Sequence, residues 1–274
     1  MRKMGSVPIF LDYTQAQLDA QYEQRSFAPH ADAIIQRYAA ASDAVRARLG
    51  EPETLSYGPS AVEALDLYGT DRRKIVAFVH GGAWKRQGRR GQGFAAETFV
   101  RAGAAYAAIG FGLLPSITLP EMVGQVHQAL VFIEDKFKPK KLVLVGHSSG
   151  AHLSACALTR VDLVSEALLV SGVYDLLPVR LSARNEYVRL DERLEDDYSP
   201  IRHADNIRCP VTVAWSEKEG AEFTRQSEEF ASVLENRKLL VEAIEAKNLN
   251  HFEIVETLSD PASQLSRAAL NMLR

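Results

Sequence analysis

Several features that assign proteins to specialised classes are scarce in this sequence. Only two of its 274 residues are cysteines, Cys156 and Cys209, and neither has the spacing of metal ligands. This favours free thiols in a reducing compartment. Basic and acidic residues nearly balance, 32 against 35, so the net charge of −3 calls for neither a nucleic acid nor an anionic membrane as partner. No stretch approaches the ~20 apolar residues of a membrane span.

The N-terminal stretch MRKMGSVPIFLDYTQ has basic residues but no apolar run long enough for a signal peptide. We therefore expect a cytoplasmic protein. The remaining composition, with 46% hydrophobic and 24% charged residues, is that of an ordinary globular protein. A chain of this length can bury a large core.

Short apolar segments alternate with amphipathic segments along most of the chain. KIVAFVH (74–80) and KLVLVG (141–146) are nearly continuous apolar runs, typical of strands covered on both faces. The segment between them, PEMVGQVHQALVFIEDKF (120–137), has helical spacing. Further strands are predicted at TLSYG (54–58), ALDLYG (64–69), AAYAAIG (104–110), EALLVSG (166–172), PVTVAWS (210–216) and LLVEAIE (239–245). This pattern predicts an α/β fold with a mostly parallel eight-stranded sheet and helices on both faces.

Two segments lie outside this alternation. Residues 1–50 are polar and Ala-rich, and helical spacing up to Gly50 predicts a small N-terminal helical extension. Residues 180–203 are strongly charged, which suits either a solvated helix or a cap that covers the end of the sheet as a lid. Without repeats or linkers, we expect a single domain over 1–274.

The pentapeptide GHSSG (146–150) follows one apolar strand and precedes an Ala-rich helix. It satisfies G-x-S-x-G, in which a tight strand-to-helix turn exposes the central serine, here Ser148, as a nucleophile. The backbone N–H of Ser149, at the start of the helix, is then placed to hold a developing oxyanion. The alternative, a glycine-rich turn that only packs helix on sheet, is disfavoured by this context.

The segment HGGAW (80–84) lies directly at the end of the strand KIVAFV. Consecutive glycines allow the backbone to approach a substrate oxygen, so Gly82 and Ala83 are predicted to supply further oxyanion donors. Trp84 and Phe111 are candidate substrate-binding residues, and Tyr187 and Trp215 are weaker candidates for the same aromatic pocket.

The base that activates Ser148 should be a histidine late in the chain. In the order Ser, acid, His of this motif, His251 after the last predicted strand fits best. His80, His147 and His152 are built into the two motifs, where orienting or packing roles suit them better. The remaining histidines, His30, His127 and His203, lie on helical or charged segments.

The acid that orients the base should follow the strand PVTVAW. Glu219, in the middle of the next turn and before Gly220, is preferred, with Glu217 as the alternative. Glu222 is expected to begin a helix, where carboxylates are common. Asp175 is a weaker candidate, better explained as a residue that braces its loop.

With these motifs, the chain resembles the α/β-hydrolase superfamily, in particular its arylformamidase (kynurenine formamidase) and hormone-sensitive-lipase-like esterase branch. LDAQYEQR is similar to the family's leading segment, HGGAW to H-G-G-x-W, and GHSSGAH to G-x-S-A-G-A-H. SEKEGAEFTRQSEEF resembles the acid loop, with Glu219 at the family's aspartate, and NHFEIVE the histidine motif. The resemblance implies an α/β-hydrolase fold and a cofactor-free serine hydrolase with a Ser-His-Glu triad.

Besides the glutamate at 219, the sequence departs from the family in a segment at the end of a predicted strand. Where relatives commonly have D-Y-R-L-x-P, this chain has IGFGLLPSITL, with Phe111, Gly112 and Leu113 in place of Asp, Tyr and Arg. We expect a pocket for a different or more apolar acyl group than formyl. The expected substrate is a small aromatic amide or ester, the expected metal content is none, and a homodimer is left open.

Overall fold

The computed structural model describes residues 7–274; Met1 to Ser6, the basic start of the N-terminal segment, lie outside the described residues. Its centre is an eight-stranded sheet in the order β1-β2-β4-β3-β5-β6-β7-β8. The strands are β1 (Glu53–Ser56), β2 (Ala64–Tyr68), β3 (Lys74–Val79), β4 (Ala105–Ile109), β5 (Lys141–His147), β6 (Glu166–Val170), β7 (Val211–Lys218) and β8 (Leu240–Asn250). β2 pairs antiparallel with β1 and β4, and the other pairs are parallel. The predicted α/β architecture is confirmed.

The helices fall on both faces of this sheet. They are α1 (Gln15–Tyr22), α2 (Ala31–Leu49), α3 (Ala96–Arg101), α4 (Leu119–Phe137), α5 (Ser149–Leu158), α6 (Leu177–Leu181), α7 (Asn185–Val188), α8 (Glu192–Asp197), α9 (Ala221–Asn236), α10 (Glu253–Glu256) and α11 (Gln264–Asn271). Short 3-10 helices cover Gln24–Phe27, Arg89–Ala95, Pro200–Asn206 and Thr257–Ser259. Among residues 7–274, no helix is long and apolar enough to cross a membrane.

Alternate residues of the buried strands supply two separate cores. On β3, Ile75 and Ala77 belong to the core that includes residues of α1, α4, α5 and α9, whereas Val76 and Phe78 belong to the core that includes residues of α2, α3 and α11. Because successive side chains of a strand point to opposite faces, an almost continuous apolar run is required where both faces are covered. The predicted helices on both faces are therefore confirmed.

Three segments differ in detail from the predicted elements. Helical spacing around residues 92–102 also predicts one continuous helix, but the structure has a 3-10 helix up to Ala95 followed by α3; Gly93 packs so closely on Tyr68 that a Cβ there would lie 2.4 Å from the phenol oxygen. β8 continues to Asn250, so His251 follows the strand directly. The charged residues 180–203 form short helices joined by ion pairs, with Arg202 bridging Asp175 and Glu195.

Candidate active site

The candidate residues meet at one edge of the sheet because they follow three parallel strands. Ser148 comes directly after β5, Glu219 after β7 and His251 after β8. The carboxyl ends of parallel strands lie at the same edge, which brings together residues that are 103 positions apart in the chain.

The turn at Ser148 is forced into an unusual backbone conformation by close packing. Ser148 has φ 56° and ψ −124°, and its N–H donates to the carbonyl of Val170 at 2.8 Å. A Cβ on Gly146 would lie 2.5 Å from Ser154 Oγ, and one on Gly150 would lie 2.2 Å from the carbonyl oxygen of Val79. Both glycines are thus needed for α5 to approach β3 and β5 this closely, and the turn projects the Ser148 hydroxyl toward the edge of the sheet.

Ser148, His251 and Glu219 form a continuous hydrogen-bonded line. His251 Nδ1 lies 2.7 Å from Glu219 Oε2, and His251 Nε2 lies 2.9 Å from Ser148 Oγ. A carboxylate can only accept, so Nδ1 carries the proton and Nε2 accepts from the serine hydroxyl. All three residues are buried, and Glu219 Oε1 also accepts the N–H of Ser216 at 3.2 Å.

The other candidate acids lie elsewhere. Glu217 is on the exposed side of β7, where it accepts the N–H of Asn248 at 2.7 Å, a bond that lowers the pKa of its carboxyl group. Glu222 begins α9 and pairs with Arg225 at 2.7 Å. Asp175 pairs with Arg202 at 3.0 Å and accepts the N–H of Leu177, which is a loop-bracing arrangement. Only Glu219 among the four is hydrogen-bonded to His251.

The HGGAW loop (residues 80–84) has three consecutive residues in the left-handed region. Gly82, Ala83 and Trp84 have φ values of +124°, +54° and +61°. A Cβ on Gly82 would lie 2.2 Å from the carbonyl oxygen of Arg86, so this position requires glycine. Gly82 and Ala83 reach the same cavity as Ser148. The first N–H groups of α5, beginning at Ser149, have no acceptor within their helix and lie beside this loop.

Trp84 is anchored on α5 rather than exposed to the cavity. Its backbone N–H donates to Ser149 Oγ at 3.1 Å and its indole Nε1–H to His152 Nδ1 at 3.2 Å. His152 Nε2 then carries the proton and donates to the carbonyl of Tyr198 at 2.9 Å. Burial lowers the pKa of His152 to about 4, which keeps the ring neutral and able to accept. The Ser149 hydroxyl thus fastens the HGGAW loop to α5.

His147 supports the base from behind. Its Nε2–H donates to the backbone carbonyl of His251 at 2.8 Å. Burial, together with the nearby His251 ring, lowers the pKa of His147 to about 3. His80 donates through Nδ1 to the carbonyl of Gly81 at 2.7 Å and stacks on Phe111 with ring centroids 4.3 Å apart. The orienting and packing roles expected for these histidines agree with these contacts.

A cavity of about 550 Å³ opens above Ser148. Its floor is lined by His147, Ser148, His251, Gly82 and Ala83; its walls come from α1 and the following turn (Asp19 to Arg25), from residues 182–187 and from Phe252. Tyr187 is in the wall, as the sequence suggested. Trp84, Phe111 and Trp215 are buried and are not among the lining residues. Within residues 7–274, no group of three His, Cys, Asp or Glu side chains could hold a metal ion.

The contribution of the N-terminal segment was not foreseen from the sequence. The side chain of Gln24 is buried; its Oε1 accepts the N–H of Gly220 at 3.0 Å, and its Nε2 donates to the carbonyl of Gln21 at 2.7 Å. Gly220 adjoins Glu219 and has ordinary backbone angles, but a Cβ there would lie 2.5 Å from the carbonyl oxygen of Gln21. A pair of glutamines in a polar segment carries no motif, so only the packing shows that this segment supports the Glu219 turn.

Comparison with known proteins assigns the chain to a family. The BD-FAE family model matches residues 65–166. The chain is 32% identical to the kynurenine formamidase of Danio rerio, and the match covers 94% of this chain and 96% of that protein. The chain belongs to the kynurenine formamidase family. The predicted arylformamidase branch of the α/β-hydrolases is thereby confirmed, and the family membership establishes a hydrolase.

Solved structures of other proteins have the same fold. A thioesterase candidate from a Silicibacter species superimposes with a TM-score of 0.83 at 24% identity, over 93% of this chain and 98% of its own. An esterase of Pyrobaculum calidifontis superimposes with a TM-score of 0.68 at 18% identity, over 90% of this chain and 98% of its own. At these identities the likeness establishes the α/β-hydrolase fold alone.

Proposed function

We propose that this kynurenine formamidase family member is a serine hydrolase that cleaves the amide bond of an N-acylated aromatic amine through an acyl-enzyme. The acyl group would be formyl or larger. The observation that supports this most is the buried line from the Ser148 hydroxyl through His251 to Glu219, with distances of 2.9 and 2.7 Å. That order is the one in which a carboxylate orients a base and the base activates a hydroxyl.

In this mechanism, His251 takes the Ser148 proton as the oxygen attacks the amide carbonyl. Glu219 holds the proton on Nδ1 and stabilises the imidazolium that forms. The backbone N–H groups of Gly82, Ala83 and Ser149 are proposed to bind the oxyanion. The C–N bond then breaks as His251 returns the proton to the leaving amine, and water releases the acyl group by the same steps.

The cavity is suited to an aromatic leaving group. Tyr22, Tyr187 and Phe252 contribute aromatic side chains, and the volume of about 550 Å³ is within the range of small-molecule sites. Residues 182–187 belong to the charged segment 180–203, so we propose that this segment acts as a cap over the bound substrate. The apolar residues at 111–113 support an acyl group larger than formyl only indirectly, since Phe111 packs behind the cavity on His80.

Ester hydrolysis is the second candidate. The esterase of Pyrobaculum calidifontis shares the fold, and an acyl-enzyme can be formed from an ester as well as from an amide. The same three side chains would serve an aryl or short-chain ester. The difference between the two candidates lies in which leaving group the cavity walls bind.

One screen of steady-state hydrolysis tests both candidates. The full chain is assayed with N-formyl-, N-acetyl- and N-butyryl-anthranilate and with 4-nitrophenyl acetate, and Ser148→Ala is the matched control. Higher kcat/KM for an anthranilate amide than for the ester supports the amidase, and turnover of the ester alone supports the esterase. Turnover that survives in Ser148→Ala would overturn both. A strong preference for formyl over acetyl and butyryl would contradict the larger acyl pocket.

A further inference from the structure

One guanidinium in the wall of the cavity has no carboxylate partner. Arg184 is half-buried and lines the same cavity as Ser148. Its side chain donates one hydrogen bond, to the backbone carbonyl of Tyr22, and forms no ion pair with any carboxylate in the part of the chain that the structure describes. Most of the five N–H donors of this group are therefore available.

Aromatic rings fix the position of this guanidinium. Its central carbon lies 5.2 Å from the ring centroid of Tyr22 and 5.9 Å from that of Trp84. Trp84 is itself held on α5 by two hydrogen bonds. Because the rings restrict the side chain, the remaining donors are preorganised and little rotamer entropy is lost when they bind a ligand.

Two further cations lie on the same side of the cavity. The ammonium of Lys85 lies 3.9 Å from the ring centroid of Tyr187, and Arg86 follows it in the wall. Across residues 7–274, neither side chain forms an ion pair with a carboxylate. Burial raises the pKa of Tyr187; the positive charges of Arg184 and Arg86 oppose that shift, and the negative charge of Glu23 adds to it.

The carboxylates that line the cavity form no ion pair with these three cations within the described residues. Asp19 accepts the N–H of Ala183 at 2.7 Å and a side-chain bond from Gln15, and Glu23 accepts the N–H of Arg25 at 3.3 Å. Glu186, the third carboxylate, is exposed and forms no ion pair with a cation within the described chain. Three cations thus line the cavity without an ion pair to any carboxylate of residues 7–274.

We infer that Arg184, Lys85 and Tyr187 form a subsite for an anionic group, a carboxylate, on the aromatic part of the substrate. The carboxylate would accept from the guanidinium of Arg184 and lie near the ammonium of Lys85, with its ring against Tyr187. This inference rests on the proposed function for the position of the acyl group, but it concerns binding and not the bond that is cleaved. The substrates that this subsite would select are aromatic N-acyl amines that carry a carboxylate.

Direct binding tests the subsite independently of turnover. Ser148→Ala, which cannot form an acyl-enzyme, is titrated calorimetrically with 2-acetamidobenzoate and with the nearly isosteric neutral 2-acetamidobenzamide. We expect the carboxylate to bind about 10- to 100-fold more tightly, as hydrogen bonds to a charged group imply. Adding Arg184→Met should remove this preference and leave the affinity for the benzamide within about threefold, and Lys85→Met should reduce the preference partly. Raising the salt concentration should weaken the binding of the carboxylate ligand but not that of the benzamide.

Arg193→Met is the matched control, because Arg193 lies on α8 of the same charged segment with its side chain 88% exposed and outside the cavity wall. It should keep the full preference. Equal affinity for the two ligands, or a preference that survives Arg184→Met together with Lys85→Met, would overturn the subsite. If the carboxylate is preferred but no anilide is hydrolysed by the unmodified chain, the subsite stands and the proposed amidase function fails. Thermal unfolding of each variant identifies any that is misfolded, and Arg184→Lys then repeats the test with the charge retained.

Discussion

The Nε2–H of His147 donates to the backbone carbonyl of His251 at 2.8 Å. The residue before the proposed nucleophile therefore holds the backbone of the proposed base. Burial, together with the nearby ring of His251, lowers the pKa of His147 to about 3 and keeps its ring neutral, although this hydrogen bond by itself raises the pKa.

The two adjacent serines should differ sharply in their effect on turnover. Ser148→Ala removes the attacking oxygen and should lower kcat by at least ~10³-fold, the known cost of losing a triad member. Ser149→Ala keeps its backbone N–H and loses only the acceptor for Trp84, so we expect less than about a tenfold loss, in line with one neutral hydrogen bond. Steady-state kinetics on the preferred substrate measures both, and equal losses would refute the assignment.

Glu219 and Glu217 provide a matched pair only two residues apart. Glu219→Gln keeps the size of the side chain but cannot stabilise the imidazolium, so kcat should fall by about 10³- to 10⁴-fold. Glu217→Gln, at an exposed position, should leave kcat within about twofold, because its solvent-exposed contacts are weak and do not reach the site. Both variants are compared by their kcat at one fixed pH. A large loss of kcat in Glu217→Gln would assign the role of the triad acid to Glu217 instead.

Support of the Glu219 turn by the N-terminal segment can be tested with a single methyl group. Gly220→Ala would place a Cβ 2.5 Å from the backbone oxygen of Gln21, which must move the turn or the segment. We expect kcat to fall by about 10- to 100-fold with little change in KM, because small misplacements of catalytic groups are costly. The control is Gly124→Ala in α4, where a Cβ would meet nothing within 4 Å and should be neutral or stabilising. Unchanged kcat in Gly220→Ala would show that the contact is merely structural.

Stability should fall on mild acidification because three histidines are buried in their neutral form. The pKa values of His80, His147 and His152 are lowered to about 4, 3 and 4, whereas in the unfolded chain they would lie near ~6.5. Between those values the unfolded chain binds more protons, so this part of the stability is complete above about pH 6.5 and is lost as the pH falls toward 4.

Urea unfolding at pH 7.5 and 5.5, a window in which most carboxylates stay ionised, measures this effect. The slope should approach ~1.4 kcal/mol per pH unit for each histidine that binds a proton on unfolding. His152→Gln should reduce the slope by about the contribution of one histidine, ~1.4 kcal/mol per pH unit. The control His30→Gln, at an exposed position, should leave the slope almost unchanged. A stability that does not change over this window would contradict the burial of neutral rings.

The sequence predicted the parts of the site that are determined locally. GHSSG and HGGAW lie at strand ends, and glycine is needed there for backbone conformation or close approach, so the pattern itself carries the geometry. The walls of the cavity could not be predicted in this way. Arg184 and Gln24 lie in polar segments without a motif, and only tertiary packing brings them to the sheet edge.

Trp84 shows that a recognised motif does not determine the direction in which each of its side chains points. The family-like HGGAW suggests an aromatic wall next to the oxyanion donors, but the left-handed backbone at Ala83 and Trp84 turns the indole toward α5 and the His152 acceptor. Sequence spacing does not distinguish these two directions, because the partner of the indole N–H is 68 residues away.

The long reach of Gln24 onto the turn beside Glu219 has a practical consequence for dissecting this enzyme. A shortened chain that starts at the first β-strand would keep every reactive group and nevertheless lose both one side of the substrate chamber and the brace on the carboxylate. Conversely, exchanging the leading fifty residues between relatives, with Gln21 and Gln24 kept, offers a route to altered substrate choice in which the reactive groups and their brace are retained.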